Sequence, residues 1–276
     1  MAVSAITRVP FALPNMPARP TYSLTDRDRR LLSYDALKVW LKPADGNVRR
    51  SGKALRIAGR KGYMGYASDG AITVGNGMAN DAKPVIKFPG GVSTANELPL
   101  HVQGFELDPA KGYFFAAVLK WGAGMVTNGA AYTLFAAGVD TSPLDIQFYM
   151  LNNALCIAHG DVAAQATAGV GFTAGGCYLV WVSYDPGSKT AMTAVNAVQP
   201  RSWITSNVLE PAGSGRPVAI GGKFNPAGIA ATQMFLGDMA EIFICDEQLV
   251  TADKEMLRAD LLADIASDYG ADFVLA

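Results

Sequence analysis

The sequence is short of the residues that most enzymes use as reactive groups. Two histidines, His101 and His159, and three cysteines, Cys156, Cys177 and Cys245, occur in 276 residues. Neither histidine lies in an HExxH pair or near a GxSxG elbow, so zinc hydrolysis and a serine nucleophile have no local signature. His159 sits beside Asp161 at a predicted strand end and is expected to make a turn hydrogen bond. The cysteines lack metal-ligand spacing and each lies in an apolar run, which predicts reduced core thiols. No GxxxxGK[ST] and no strand-linked GxGxxG is present to cradle phosphate, so nucleotide use has no support. No apolar run approaches the roughly 20 residues that span a bilayer. The stretch MAVSAITRVPFALPNMP lacks a basic start followed by an unbroken apolar segment, so no secretory signal and no membrane partner are expected.

Charge is sparse as well. Charged residues make up 17% and hydrophobic residues 50% of the chain, which with 29 glycines suits a β-rich globular protein and excludes wholesale disorder. The net charge of −1 hides a strong asymmetry: 13 Lys and Arg face 4 Asp and Glu through Lys61, and 10 face 20 from Gly62 onward. A basic front and an acidic body predict mutual attraction, within one copy or between copies. Arg49, Arg50, Lys53, Arg56, Arg60 and Lys61 are separated by Gly and Ser without an aromatic stacking pattern, so nucleic acid is not expected.

Residues 1–22 carry Pro10, Pro14, Pro17 and Pro20, too close together for a helix or an interior strand. They predict an extended arm whose Val9, Phe11, Leu13 and Met16 seek a surface to cover. Thr25 followed by Asp28 predicts a capping box that opens a short helix in SLTDRDRRLLSY. From Leu37 the pattern changes to short aromatic and β-branched runs broken by turn residues. These are 37–41, 113–121, 132–139, 144–151, 177–184, 190–195, 217–222 and 234–245. Asp185-Pro186-Gly187-Ser188 and Asn152-Asn153 are hairpin signals. Strands joined by tight turns are antiparallel, and without alternating helices they predict two packed sheets. After them, Leu257, Leu261, Ile265 and Tyr269 recur on one face of a helix expected over about 252–268. Thr251 is the expected N-cap and Gly270 the expected stop.

Two acids, Asp238 and Glu241, interrupt the apolar run 234–245. In a regular strand they lie three apart and face opposite sides, which rules out a shared glycosidase cleft unless a bulge intervenes. The Glu-x-Asp-x-Glu spacing of β-sandwich glucanases is absent. The expectation is therefore a structural or solvent-facing acid, with no catalytic residue.

Gly237, Met239, Glu241, Ile242, Ile244, Asp246 and Leu249, followed by Thr251-Ala252-Asp253, resemble the closing strand and helix of the concanavalin A-like, laminin-G-like jelly-roll superfamily. LKVWLKPADG (37–46) is similar to its opening strand, CYLVWVSYDPGS to a central strand with its hairpin, and PVAIGGKFN (217–225) to the strand before the closing element. The resemblance implies an all-β, two-sheet antiparallel jelly-roll sandwich over 37–276 with a C-terminal helix, preceded by an arm and short helix over 1–36. It also implies sugar binding in some members, at times through calcium. Asp69, Asn76, Asn80, Asp81 and Asn225 are the nominal calcium ligands, but they read first as turn residues and no cluster offers six to eight oxygens. Trp203 is the candidate glycan contact, while Trp121 and Trp181 are expected in the core.

A lectin-like sandwich without catalytic residues, with an apolar arm and opposite charges at its ends, resembles the head-decoration, head-fibre and tail-fibre proteins of tailed bacteriophages. The expectation is a non-enzymatic structural protein on a virion surface, made in a host cytoplasm. It needs no cofactor, forms homo-oligomers and contacts other virion proteins through the arm. A carbohydrate-binding module and a glycoside hydrolase or polysaccharide lyase with an eroded signature are the alternatives.

Overall fold

The computed structural model describes residues 24–276 except 45, 69, 80–82, 92–98, 126–130, 139–145, 152–153, 160–164, 167–171, 201, 206–214 and 224–232, and all statements below concern the described residues. Two helices and eighteen strands follow in chain order. After α1 (Asp26–Ser33) come β1 (Leu37–Leu41), β2 (Val48–Ser51), β3 (Ala54–Ala58), β4 (Met64–Ala67), β5 (Thr73–Gly77), β6 (Lys83–Pro89) and β7 (Leu100–Leu107). Then come β8 (Tyr113–Trp121), β9 (Tyr132–Ala137), β10 (Ile146–Leu151), β11 (Ala154–His159) and β12 (Gln165–Ala166). The rest are β13 (Cys177–Asp185), β14 (Thr190–Val195), β15 (Ser202–Thr205), β16 (Arg216–Ile220), β17 (Gln233–Met234), β18 (Leu236–Cys245) and α2 (Glu255–Ala266).

The strands form the expected two-sheet sandwich. The smaller sheet runs β15-β14-β13-β8-β18-β6-β5 with β1 also on β18, and the larger runs β12-β11-β10-β9-β16-β7-β4-β3-β2 with β17 on β9. Pairing is antiparallel except between β17 and β9. Both hairpin signals fall at hairpins. Leu151 pairs with Ala154 across a two-residue connection, and Asp185 pairs with Thr190. In the second turn the Asp185 carboxylate accepts bonds from the Gly187 and Ser188 amides at 3.0 and 3.2 Å, which holds the chain reversal locally.

The inner faces enclose one apolar core. Leu55, Ile57, Leu100, Val102, Phe135 and Phe148 of the larger sheet meet Phe115, Leu119, Val180, Val182, Ile242 and Ile244 of the smaller. A second core lies on the smaller sheet's outer face, where Trp40, Phe114, Trp181 and Phe243 pack against Leu31, Leu261, Leu262, Ile265 and Tyr269 of α1, α2 and the segment after α2. Because the smaller sheet is buried on both faces, β8 and β18 are nearly unbroken apolar runs rather than alternating ones.

The helices differ in detail from the expectation. α1 has both bonds of the capping box, Asp28 N donating to Thr25 Oγ1 at 3.0 Å and Thr25 N to the Asp28 carboxylate at 3.3 Å. Thr251 precedes a 3₁₀ turn (Ala252–Lys254) and makes no side-chain cap bond there; α2 begins only at Glu255 and ends at Ala266, four residues before Gly270. The Gln248 side chain instead holds the chain entering this turn, accepting from the Val250 and Thr251 amides at 2.8 and 3.1 Å. Leu261, Ile265 and Tyr269 are buried as the spacing requires. The three cysteines are free, two of them fully buried.

Candidate functional site

The two acids of β18 share a face after all. Met239 pairs with Leu119 and Glu241 with Val118, so Ala240 is an extra residue and the strand carries a bulge. The bulge puts Asp238 and Glu241 on the helix-covered side, overturning the opposite-face reading. The expectation of a structural acid nevertheless holds for Glu241, which is fully buried. Arg27 of α1 grips its carboxylate with both Nη atoms at 3.2 and 3.0 Å, Trp40 Nε1 and the Tyr269 hydroxyl each donate at 3.0 Å, and Lys42 Nζ lies 2.7 Å away. Arg27 also donates to the carbonyls of Asp264 and Ile265 at 2.6 and 3.1 Å, so it satisfies the free C-terminal carbonyls of α2 and complements that helix's dipole. Burial pulls the Arg27 guanidinium down in pKa, but Glu241 outweighs this and holds it above its usual value. Burial pushes Tyr269 well up, and the charge of Glu241 pushes it further. Asp238 lies over β5, where a side chain at Gly77 would collide with its carboxylate, and beside Lys87 and Lys120 in register.

This cluster joins the basic front of the chain to its acidic end within one copy. Across this join Arg30 binds Asp264 at 2.7 Å and Lys42 binds Asp268 at 3.1 Å, while Arg60 binds Asp28 at 3.0 Å within the front and Lys83 binds Asp272 at 3.2 Å within the acidic part. Arg60 also stacks on Trp40, and Lys61 donates to the carbonyls of Leu32 and Tyr34. Burial pushes the Asp268 carboxyl up, but Arg27 and Lys42 outweigh burial and hold it below its usual value.

At one edge the sandwich gapes. Edge strands β2 and β5, one from each sheet, flank a cleft of about 570 Å³ lined by Ala44, Gly46, Val48, Arg50, Val74 and Asn76, with Gly75 and Pro84. Val48 and Arg50 pair with Ile57 and Leu55, both core residues, so this side of β2 faces inward. Val74 packs on the same core from β5, and Asn76 has its parity. The sequence thus places an arginine and an asparagine on the core-facing side of two edge strands, β2 and β5. Gly52, at φ +59°, allows the two-residue turn between β2 and β3. The arrangement presents a guanidinium fork and an amide above an apolar floor. That suits a ligand that is polar at its edge and apolar on its face.

Of the residues singled out from sequence, Trp121 and Trp181 are core. Trp203 lies in β15, an edge strand, where its backbone pairs with Met192; its side chain lies outside the described residues, as does that of His159. Val9, Phe11, Leu13 and Met16, and the calcium candidates Asp69, Asn80, Asp81 and Asn225, also fall outside the described residues. Asn76 is in the cleft, and no described group of three acids, histidines or cysteines could hold a metal. No described helix is long and apolar enough to cross a membrane. Sequence reasoning missed Arg50; its signal was the SGKA turn, which makes VRRS and ALRIA a hairpin and sets the parity of Arg50 with Val48.

No protein-family model and no curated protein matches the chain. Solved structures do match. A Trypanosoma rangeli sialidase in complex with a difluoro-nononic acid aligns with 93% of this chain at 13% identity and a TM-score of 0.54. A mutant of that sialidase displaying trans-sialidase activity aligns with 88% at 12% identity and a TM-score of 0.54. The CBM40 of a Ruminococcus gnavus IT-sialidase, bound to sialyllactose, aligns with 63% of this chain and 95% of its own at 11% identity and a TM-score of 0.44. This chain spans about a third of the length of the two trypanosomal proteins, 36% and 37%. The likeness shows the β-sandwich fold. It corrects the expectation of a chain without enzymatic activity, since the solved structures it resembles include those of sialidases, at 12 to 14% identity. It lends no support to the virion role.

Proposed function

We propose that this chain recognises glycans at the open edge between β2 and β5. The observation that carries the reading is the cleft itself, whose Val48, Val74 and Pro84 offer apolar surface to the C–H face of a sugar while Arg50 and Asn76 offer donors to its oxygens. The fold supports it, being shared with sialidases, one of them solved in complex with sialic acid at a TM-score of 0.53. An edge strand with an inward charge also deters strand addition, so Arg50 has a competing explanation that the test must separate. A glycan array probed with the full chain is expected to show selective binding, reduced about tenfold or more by Arg50→Ala, about 1.4 kcal/mol. Release of free sugar is read in the same samples, because the fold is one that glycoside hydrolases carry. Aggregation of Arg50→Ala with unchanged glycan binding would assign Arg50 to edge protection and sink this site.

A further inference from the structure

We infer that the ligand is an anionic glycan, a sugar chain bearing carboxylate or sulfate groups, bound where the β2–β3 hairpin turns the edge of the sandwich. The inference rests on the glycan reading and narrows it. Arg49, Arg50, Lys53 and Arg56 crowd into two short strands and their turn. Unlike Arg27, Arg30, Lys42 and Arg60, their side chains form no ion pair or hydrogen bond among the described residues. Arg49 and Arg56 are direct cross-strand partners. Like charges placed directly opposite destabilise a sheet, so this pair weakens the fold unless an anion lies between them. Arg56 already rests over the Tyr66 ring, 5.8 Å from its centre, which holds its fork near the outer face. Tyr66 pairs in turn with His101, so one cross-strand row of the outer face runs Arg49, Arg56, Tyr66, His101.

Strand alternation sends Arg49 to the outer face and Arg50 into the cleft, so cations flank both sides of one exposed edge strand. A ligand with repeated anionic groups can use both, and planar guanidinium forks match carboxylate and sulfate oxygens in pairs. The apolar cleft floor favours a sugar over a bare polyanion. Nucleic acid would need free aromatic platforms here, and Tyr66 is already covered by Arg56. An anionic membrane would need exposed apolar side chains beside the basic patch. The large exposed ones, Leu24, Met256 and Val274, lie on other segments.

The test uses calorimetric titration of the full chain with oligogalacturonate, heparin oligosaccharide, neutral maltohexaose and single-stranded DNA. Binding of one or both acidic probes is expected, and which one binds separates carboxylate from sulfate. Arg50→Gln should weaken that binding at least tenfold, and higher salt should weaken it further. The double variant R49Q/R56Q should also lose affinity while melting at a higher temperature than the parent, a combination that a structural role for the pair does not produce. Arg29→Gln, on the exposed face of α1, is the control and should change neither. Binding of maltohexaose alone, unaffected by these variants, would overturn the anionic inference and leave the glycan reading standing. DNA bound as tightly as the acidic sugars would overturn it too. If no glycan of either kind bound, here or on the array, both readings would fall.

Discussion

Two groups of basic residues lie within the first 61 positions and are treated in opposite ways by the fold. Arg27, Lys42 and Arg60 are drawn into contact with Glu241, Asp268 and Asp28, where each charge is at least partly buried and paired. Arg49, Arg50, Lys53 and Arg56 are left exposed on the β2–β3 hairpin, with Arg49 directly opposite Arg56. The contrast teaches that the charge asymmetry of the sequence has two causes. One part is structural: Arg27 and Lys42 are taken up by Glu241 and Asp268, and Arg60 by Asp28. The other part, on the β2–β3 hairpin, makes no ion pair or hydrogen bond among the described residues.

Breaking a contact in the first group should cost stability. Glu241→Ala removes the buried carboxylate shared by Arg27, Lys42, Trp40 and Tyr269, leaving Asp268 as the remaining acid on Arg27 and Lys42; removing one partner of a buried pair costs about 3–5 kcal/mol. Denaturant unfolding should show that loss, against a milder cost of about 1–3 kcal/mol for Glu241→Gln, which keeps the shape and one acceptor. Acid should act on the same group. Because Asp268 is held below its ordinary carboxylate value, its contribution is fully present above the unfolded pKa of about 3.9 and is lost as pH falls through the lower folded value. Thermal melts should therefore decline below about pH 4, and Asp268→Asn should flatten that decline.

Smaller effects sharpen the contrast. Thr25→Ala removes the acceptor for Asp28 N and should cost about 1 kcal/mol while leaving ligand binding intact. Arg50→Ala should move stability by less than about 0.5 kcal/mol, since its exposed side chain makes no ion pair or hydrogen bond among the described residues. If Arg50→Ala destabilised the fold as much as Glu241→Ala, the division between structural and available charge would be wrong.

The legibility of the fold follows the same division. Strands covered on both faces announce themselves, and β1, β8 and β14 coincide with the runs 37–41, 113–121 and 190–195. Strands β2 to β7 were not foreseen: β2 to β5 are only four or five residues long, and β6 and β7 interleave exposed residues with buried ones. VRRS has one partly buried residue, Val48, and the facing of its arginines is set only by pairing with ALRIA. The bulge at Ala240 was equally hidden, since it is defined by pairing with β8 and by nothing in the local residues. Glu241 was recognised as a structural acid, but its partners Arg27 and Trp40 lie 214 and 201 positions away in sequence, beyond any local pattern. The cleft was missed for the same reason, because β2 and β5 become neighbours only through two different sheets.

The attachment of α1 also has a mechanical meaning. Tension applied to the chain ahead of residue 24 reaches the body first through α1, a helix of eight residues that adds Leu31 to the second core. The Arg27 bonds to Glu241, Asp264, Ile265 and Asp268 radiate from one planar group, so a pull loads them together instead of one after another. Such a joint yields in a single step at a threshold force. Its strength is set by how fast it ruptures under load, and a salt bath that weakens exposed charges would barely reach it.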